Sequence, residues 1–224
     1  MKKENQIARK TTFVRELTEG NSEPYLFMEE TFNKDGWKQS LRTFGPSEDT
    51  VREVTYEYAD GHLAKEIQKN FAQNTTLEKF YHRENGKLVK VETKGGEGTE
   101  VRYVYDDKGA YDEYTEKGGT VQVQRHFDDK GKLMWQVYTT NGHRTDFVYD
   151  DNGNVVEMKE EHNEGHTTIR HKNEYNADGQ LSKVSINGHL SSEFFYGNDL
   201  LEKEIQYSPD GTPVMEMTCK YEFH

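Results

Sequence analysis

The sequence predicts an all-β fold, a long antiparallel meander of repeated hairpins whose sheet curls into a partial barrel or shell. From Gly36 to Gly179, turn glycines recur at intervals of 22 to 26 residues, with a second turn signal midway in each interval. Polar and apolar residues alternate between these turns, and no segment carries the 3.6-residue period of a helix. The spacing predicts seventeen or eighteen strands. A sheet of this length twists and curls, and its two ends are expected to be edge strands.

The chain begins with a basic segment, residues 1–10, which we expect to be a flexible tail before a single hairpin-repeat domain over residues 11–224. The net charge of −12 disfavours nucleic-acid binding, which needs a clustered basic face. No apolar run reaches the roughly 18 residues of a membrane helix, and no secretion signal begins the chain. We therefore expect no membrane span and a cytoplasmic protein, with export by a non-classical route left open. The single cysteine, Cys219, is expected to be a buried apolar residue.

The composition is poor in aliphatic residues but rich in aromatic ones. Leu, Ile, Val and Phe together make up just under a fifth of the chain, a level near the roughly 20% below which charged chains are often disordered. Fourteen Tyr, eleven Phe and two Trp point the other way, and four prolines are too few for a loose linker. The composition therefore indicates a folded protein with a thin apolar layer.

The repeat places an aromatic residue four positions before a turn glycine, and its best copies lie within residues 99–181. The loop between them fits a three-residue hairpin that ends in a glycine bulge, with its aspartates accepting hydrogen bonds from turn amides. This loop length sets the register of the two strands. The predicted cross-strand pairs are Tyr105 with Tyr111, Phe127 with Leu133, Tyr149 with Val155 and Tyr175 with Leu181, around the turns at Gly109, Gly131, Gly153 and Gly179.

Several of these units resemble the tyrosine–aspartate (YD) or RHS repeat, which runs Tyr-Asp-x-x-Gly-x-Leu. The resemblance covers most of residues 50 to 215 and implies a curled β-shell that encloses or binds another macromolecule. The aspartate is missing in some units, where Ala59, His82 and Asn176 follow the tyrosine. The segment "KFYHRENGKLVKVE" equally resembles the MORN-type variant of small antitoxin-like bacterial proteins. The units that match the YD pattern are Tyr105-Asp106 with Gly109, Phe127-Asp128 with Gly131 and Leu133, and Tyr149-Asp150 with Gly153.

One histidine cluster invites a metal-site interpretation. His162 and His166 flank the predicted "NEG" turn, so their side chains are placed to approach across a hairpin and bind zinc or nickel, whereas His171 points to the opposite face from His166. A solvated polar strand explains the same pattern. No nucleophile stands near a base in the sequence, and no carboxylate pair stands out. We expect no enzyme activity, no cofactor and no metal.

Aromatic residues that exceed the needs of a thin core are the candidate binding residues. On a flat sheet such side chains bind a protein partner or a sugar, or they pack across strands. The leading hypothesis is a non-catalytic binding or scaffold protein that presents a curled sheet surface to another macromolecule. The alternatives are a cytosolic immunity or antitoxin protein that neutralises a basic toxin, and a glycan-binding protein. The candidate residues are Trp37, Trp135, Tyr103, Tyr114 and Tyr138.

Overall fold

The computed structural model describes residues 7–18, 23–95, 98–162 and 165–224. These residues contain eighteen β-strands and no helix, and the strand pairs described below are antiparallel, so the predicted all-β hairpin fold is confirmed. The turns predicted at 19–23, near 95 and at "NEG" lie wholly or partly outside the described residues.

The chain divides into two compact units, and the single hairpin-repeat domain expected over residues 11–224 stays a prediction. Unit 1 comprises Met1–Tyr58, Glu66–Thr76 and Lys172–His224, and unit 2 comprises Ala59–Lys65 and Leu77–His171. The strands are β1 (Ile7–Glu16), β2 (Tyr25–Phe32), β3 (Lys38–Phe44), β4 (Thr50–Ala59), β5 (His62–Asn70), β6 (Thr75–Glu84), β7 (Lys87–Lys94), β8 (Thr99–Tyr105), β9 (Tyr111–Lys117), β10 (Thr120–Phe127), β11 (Leu133–Tyr138), β12 (His143–Tyr149), β13 (Val155–His162), β14 (Gly165–Tyr175), β15 (Leu181–Ile186), β16 (His189–Gly197), β17 (Leu200–Tyr207) and β18 (Pro213–Phe223).

In unit 1 the first strand pairs with the last. Strand β1 lies between β2 and β18, with Thr12 opposite both Met28 and Cys219. The series continues from β2 through β3 to β4 on one side and from β18 through β17 and β16 to β15 on the other. The expectation that the two ends are edge strands is therefore wrong, because each supplies the other's missing partner.

The predicted tail overlaps this first strand. β1 begins at Ile7, whose side chain is buried, and Ile7, Arg9 and Lys10 pair with residues of β18. The remaining six residues of the predicted tail lie outside the described residues.

In unit 2 strands β6 to β14 pair in chain order, each with the next. Three of the four predicted cross-strand pairs are confirmed: Tyr105 with Tyr111, Phe127 with Leu133 and Tyr149 with Val155. In unit 1, Tyr175 ends β14 and Leu181 begins β15, and their pairing stays a prediction.

The aspartates of the repeat close the hairpin corners. Between β10 and β11, the Asp128 N–H donates to the Lys132 carbonyl at 2.9 Å, and the Gly131 N–H donates to the Asp128 carbonyl at 3.0 Å. The Asp128 carboxylate accepts the amides of Lys130 and Lys132 at 3.0 and 2.7 Å. Gly131 has φ of +77°, the left-handed conformation that the bulge requires and that side chains disfavour. The same backbone pattern recurs at Asp106 and Asp150, so these residues are turn acceptors.

The apolar layer is thin, as the composition predicts. Five apolar side chains among the described residues are buried: Ile7, Val14, Val54, Val91 and Leu200. Tyrosine hydroxyls add a second kind of link between paired strands, since Tyr149 donates to the Leu133 carbonyl at 2.7 Å and Tyr58 donates to the Lys38 carbonyl at 2.8 Å. Burial raises the pKa of both hydroxyls, which keeps them protonated donors.

Candidate binding surface

The sheet of unit 2 has two different faces between β8 and β13. On one, which we call the repeat face, the rings that precede the turn glycines form a row with their cross-strand partners. Tyr111 stacks on Phe127 with ring centres 4.7 Å apart, and Tyr105 lies 5.1 Å from Tyr111. Leu133 and Tyr149 continue this row, each at its predicted register position. These side chains pack against one another, as expected of cross-strand pairs.

The opposite face of the same strands carries aromatic rings covered by cations. The Arg102 guanidinium lies 4.5 Å from the Tyr114 ring centre, and the Arg144 guanidinium lies 4.8 Å from that of Trp135. The His126 ring stacks on Trp135 at 5.5 Å. We call these five residues the aromatic–arginine surface. Its rings are held by cation–π contacts as well as by their neighbours on the sheet.

A β-bulge puts Trp135 on this face. Phe127 pairs with Leu133, but His126 pairs with Trp135, so the register shifts by one residue between the two pairs. Without the extra residue, Leu133 and Trp135 would share a face, because they are two positions apart. The bulge instead turns the Trp135 ring toward His126 and Asp146, its partners on β10 and β12.

Ion pairs fix the arginines of this surface. Arg144 donates to Asp146 through Nε and Nη2, with a shortest distance of 2.7 Å, and this bonding lowers the pKa of the Asp146 carboxyl. Arg102 donates to Glu116 at 3.1 Å. The His126 Nδ1 lies 2.8 Å from an Asp112 oxygen. The surface therefore carries charges of both signs and no strong excess of either.

The structure brings together only two of the five candidate binding residues. Tyr114 and Trp135 lie on the aromatic–arginine surface, whereas Tyr103 and Tyr138 pair with Glu113 and Val123 on the repeat face. Trp37 belongs to unit 1, where its ring meets the edge of Tyr58 at 4.5 Å. Tyr138 is 38% exposed, whereas the other four are half-buried. Neighbouring side chains, including cations, cover their rings.

Sequence reasoning missed Arg102, His126 and Arg144 as members of this surface. Each stands opposite or diagonal to one of the candidate aromatics on a neighbouring strand. The sequence signal is the alternation of polar residues with apolar ones, but the bulges change which residues share a face, so alternation alone does not identify the set.

The histidine cluster is arranged differently from its prediction. His162 pairs with Gly165 and His166 pairs with Glu161, so the two histidines lie on opposite faces and the predicted approach across the hairpin is wrong. Asn163 and Glu164 of that turn lie outside the described residues. His162 instead approaches His143 on β12, with ring centres 5.8 Å apart. Within the described part of the chain, no group of three or more His, Cys, Asp or Glu side chains is placed to hold a metal ion.

Unit 1 holds a buried charge of its own. Glu30 is buried and accepts from Lys38, with Lys10 at 3.6 Å on its other oxygen. Cys219 is half-buried where full burial was expected, and its sulfur lies 3.8 Å from the Thr12 hydroxyl. Glu30 and Cys219 therefore have partners within the sheet, and their contacts are explained by its structure.

In the ranges that the structure describes, no helix is long and apolar enough to cross a membrane. No protein-family model matches the chain, so the YD/RHS resemblance gains no family match, and no curated protein matches it either.

Solved structures give a fold comparison. A porin-like protein from Bacteroides uniformis ATCC 8492 is similar with a TM-score of 0.52 and 9% identity, covering 96% of each chain. A porin-like protein from Bacteroides vulgatus ATCC 8482 has a TM-score of 0.44 and 10% identity over 96% of this chain and 98% of that one. The TcdB2-TccC3-Cdc42 structure has a TM-score of 0.39 and 12% identity over 82% of this chain and 13% of that one. At these TM-scores the latter two do not establish a shared fold. The first supports the conclusion that this chain has an all-β antiparallel fold of the kind seen in a porin-like protein.

Proposed function

We propose that the chain is a non-catalytic binding protein that holds a partner protein on the aromatic–arginine surface. One observation carries the proposal: Tyr114 and Trp135 stand on one sheet face together with Arg102 and Arg144. Tyr, Trp and Arg are the residues that contribute most of the binding energy at protein interfaces. Among the described residues, no other sheet face carries both Trp and Tyr rings in cation–π contact with arginines.

The contacts within the surface favour binding because they order the side chains in advance. Ordering a flexible side chain at an interface costs about 0.5–1.5 kcal/mol. Arg102 and Arg144 are already held between a ring and a carboxylate, at 3.1 Å from Glu116 and 2.7 Å from Asp146. A partner that contacts their exposed edges meets groups whose positions are set, so less of the contact energy is spent on ordering.

The partner's identity would distinguish a general binding or scaffold protein from an immunity or antitoxin protein. A net charge of −12 favours association with a basic protein, since opposite charges speed the encounter. This supports the immunity or antitoxin version, in which the partner is a basic toxin. The surface itself carries both signs of charge, so in that version salt slows association more than it speeds dissociation.

Glycan binding is the second candidate function, and one observation favours it. Carboxylates stand beside the stacked rings, with Asp112 bonded to His126 and Asp146 opposite Trp135. The part of these half-buried rings that stays exposed, next to carboxylate acceptors, suits a sugar whose apolar face packs on the rings while its hydroxyls donate. Polysaccharide binding at this site should change tryptophan fluorescence in the wild type but not in Trp135→Phe, which retains only Trp37.

We also propose that the strands of unit 2 work in water. A strand that faces lipid carries apolar residues at alternate positions, and a Lys or Arg at the bilayer midplane costs about 2–4 kcal/mol. Here one face carries the Arg144–Asp146 pair, and the other carries Arg125, which lies 2.5 Å from Glu113. Two measurements test whether these strands work in water. The chain should purify in detergent-free buffer, and alkaline carbonate should release it from membranes. Retention in the carbonate-washed membrane pellet would contradict it.

The binding proposal is tested by comparing captured partners between variants. The tagged chain, Trp135→Ala with Arg102→Ala, and the control Tyr138→Ser are used to capture proteins from host lysate at low and moderate salt. Tyr138 is a matched control because it is an exposed aromatic on the opposite face. We expect a stoichiometric partner whose affinity falls at least tenfold in the double variant and stays unchanged in the control. Equal capture by all three folded proteins would overturn the assignment of the surface.

A further inference from the structure

Two histidines meet across neighbouring strands, where β12 begins and β13 ends. Arg144 pairs with Glu161, so the next residues outward, His143 and His162, come side by side on the repeat face. Their ring centres are 5.8 Å apart with an interplanar angle of 71°. The Tyr138 ring stacks on His143 at 6.1 Å from the other side. The His143 ring therefore lies between a tyrosine and a second imidazole.

We propose that His143 and His162 form a two-histidine site for a borderline-soft divalent metal ion of the Zn²⁺ type. Zinc binds imidazole nitrogen at about 2.0–2.1 Å, so an ion shared by two imidazoles at tetrahedral or wider angles separates the ring centres by roughly 5 to 6 Å. The observed 5.8 Å lies within that range. The spacing of the two rings therefore suits one shared ion.

One ring nitrogen of the pair lacks a partner. His143 Nε2 is buried, and the described residues provide it with no hydrogen-bond partner. A buried polar atom without a partner is unfavourable, and a bound metal ion would satisfy it. His162 is exposed, which gives an ion a route from solvent. Two histidines would bind the ion and water would fill the remaining positions. Such a site does not require a group of three or more protein ligands, which the described residues do not contain.

The sheet also orders the two ligands. The β12–β13 ladder runs from Arg144–Glu161 to Tyr149–Val155, which fixes both backbones just inside the pair. The site lies on the face opposite the aromatic–arginine surface, so it is independent of the proposed binding function. A metal here would link two strands at one end of their hairpin.

The test is calorimetric titration of the untagged full chain with ZnCl₂ at neutral pH, with MgCl₂ as the hard-ion control. The chain has nine histidines, so stoichiometry and variants must locate the site. We expect one equivalent of Zn²⁺ to bind saturably and Mg²⁺ not to bind. His162→Ala and His143→Ala should each weaken Zn²⁺ binding at least tenfold.

The matched control is His166→Ala, since His166 lies near His162 but pairs with Glu161 on the other face. It should bind Zn²⁺ like the wild type. His162→Gln gives a second variant at an exposed position, where folding is least disturbed. Absence of saturable binding, or wild-type binding by His162→Gln and His162→Ala, would overturn the proposal.

Discussion

The two faces of unit 2 use aromatic residues in different ways. On the repeat face, rings occupy positions that the turn glycines fix, and they stack on one another, as Tyr111 does on Phe127 at 4.7 Å. On the aromatic–arginine surface, Trp135 and Tyr114 hold no position in the repeat, and arginines cover them. The cations beside the repeat-face rings Tyr105 and Tyr149 are lysines. The comparison teaches that an aromatic residue explained by the repeat is structural, whereas one that the repeat does not explain is a candidate for function.

The largest expected effect is Tyr111→Ala on the repeat face. Tyr111 contacts both Phe127 and Tyr105, at ring distances of 4.7 and 5.1 Å. Removing it should lower the free energy of unfolding by about 2–4 kcal/mol, measured by urea denaturation. Tyr114→Ala, on the same strand but the opposite face, should cost about 1 kcal/mol. It loses a cation–π contact worth roughly 0.5–1 kcal/mol and two long hydrogen bonds of its hydroxyl, with Asp112 at 3.2 Å and Gln124 at 3.3 Å. Equal losses would show that the faces do not differ as we describe.

The next effect concerns the corner that sets the register of the repeat face. Gly131 has φ of +77°, and no atom lies within 4 Å of a Cβ added there, so Gly131→Ala isolates the backbone cost. We expect a loss of about 1–2 kcal/mol in the free energy of unfolding. Gly45→Ala is the control, because a Cβ there meets Val51 at an ordinary 3.6 Å and the backbone is not left-handed. A change as large at Gly45 would contradict the explanation.

A smaller effect separates hydroxyl bonding from ring packing on that face. Tyr149 donates to the Leu133 carbonyl at 2.7 Å, so Tyr149→Phe should cost about 1 kcal/mol. Tyr105→Phe removes a hydroxyl for which the described residues supply no acceptor, and its effect should be near zero. Thermal unfolding of the two variants beside the wild type measures the difference. A loss in Tyr105→Phe matching that in Tyr149→Phe would mean that the hydroxyl bond is not the cause.

The repeat face was predictable from the sequence because a short loop fixes its register. A loop of known length between Tyr149 and Val155 leaves one pairing, and the structure has it. The aromatic–arginine surface was not predictable in the same way, since the bulge beside Trp135 reverses the face that simple alternation assigns. The His143–His162 contact was not predicted either. It joins β12 and β13, whereas the sequence pattern indicated a contact between histidines on β13 and β14.

The smallest expected effect lies on the aromatic–arginine surface. Asp146 is 40% exposed and paired with Arg144, so Asp146→Asn should lower the free energy of unfolding by about 0.2–1 kcal/mol at pH 7. The folded-state pKa of Asp146 is lowered by its bonds to Arg144. Its contribution is therefore full above the ordinary carboxyl pKa of about 3.9 and is lost as pH falls through the lowered value.

Urea denaturation of the wild type and Asp146→Asn between pH 7 and pH 3, at two salt concentrations, measures this effect. The difference between the two proteins should shrink on acidification and with added salt. A difference that grows toward low pH would contradict the assigned ion pair and weaken the distinction between the faces.

The pairing of β1 with β18 has a consequence for biosynthesis. Thr12 and Cys219 meet across these strands although they are 207 residues apart. At translation rates of about 5–20 residues per second, β1 waits roughly 10 to 40 seconds before its second neighbour has been made. Through that interval one side of β1 offers unpaired amides and carbonyls to any other nascent chain. Between the making of its first and last strands, this protein therefore depends most on wide spacing of nascent chains or on a chaperone.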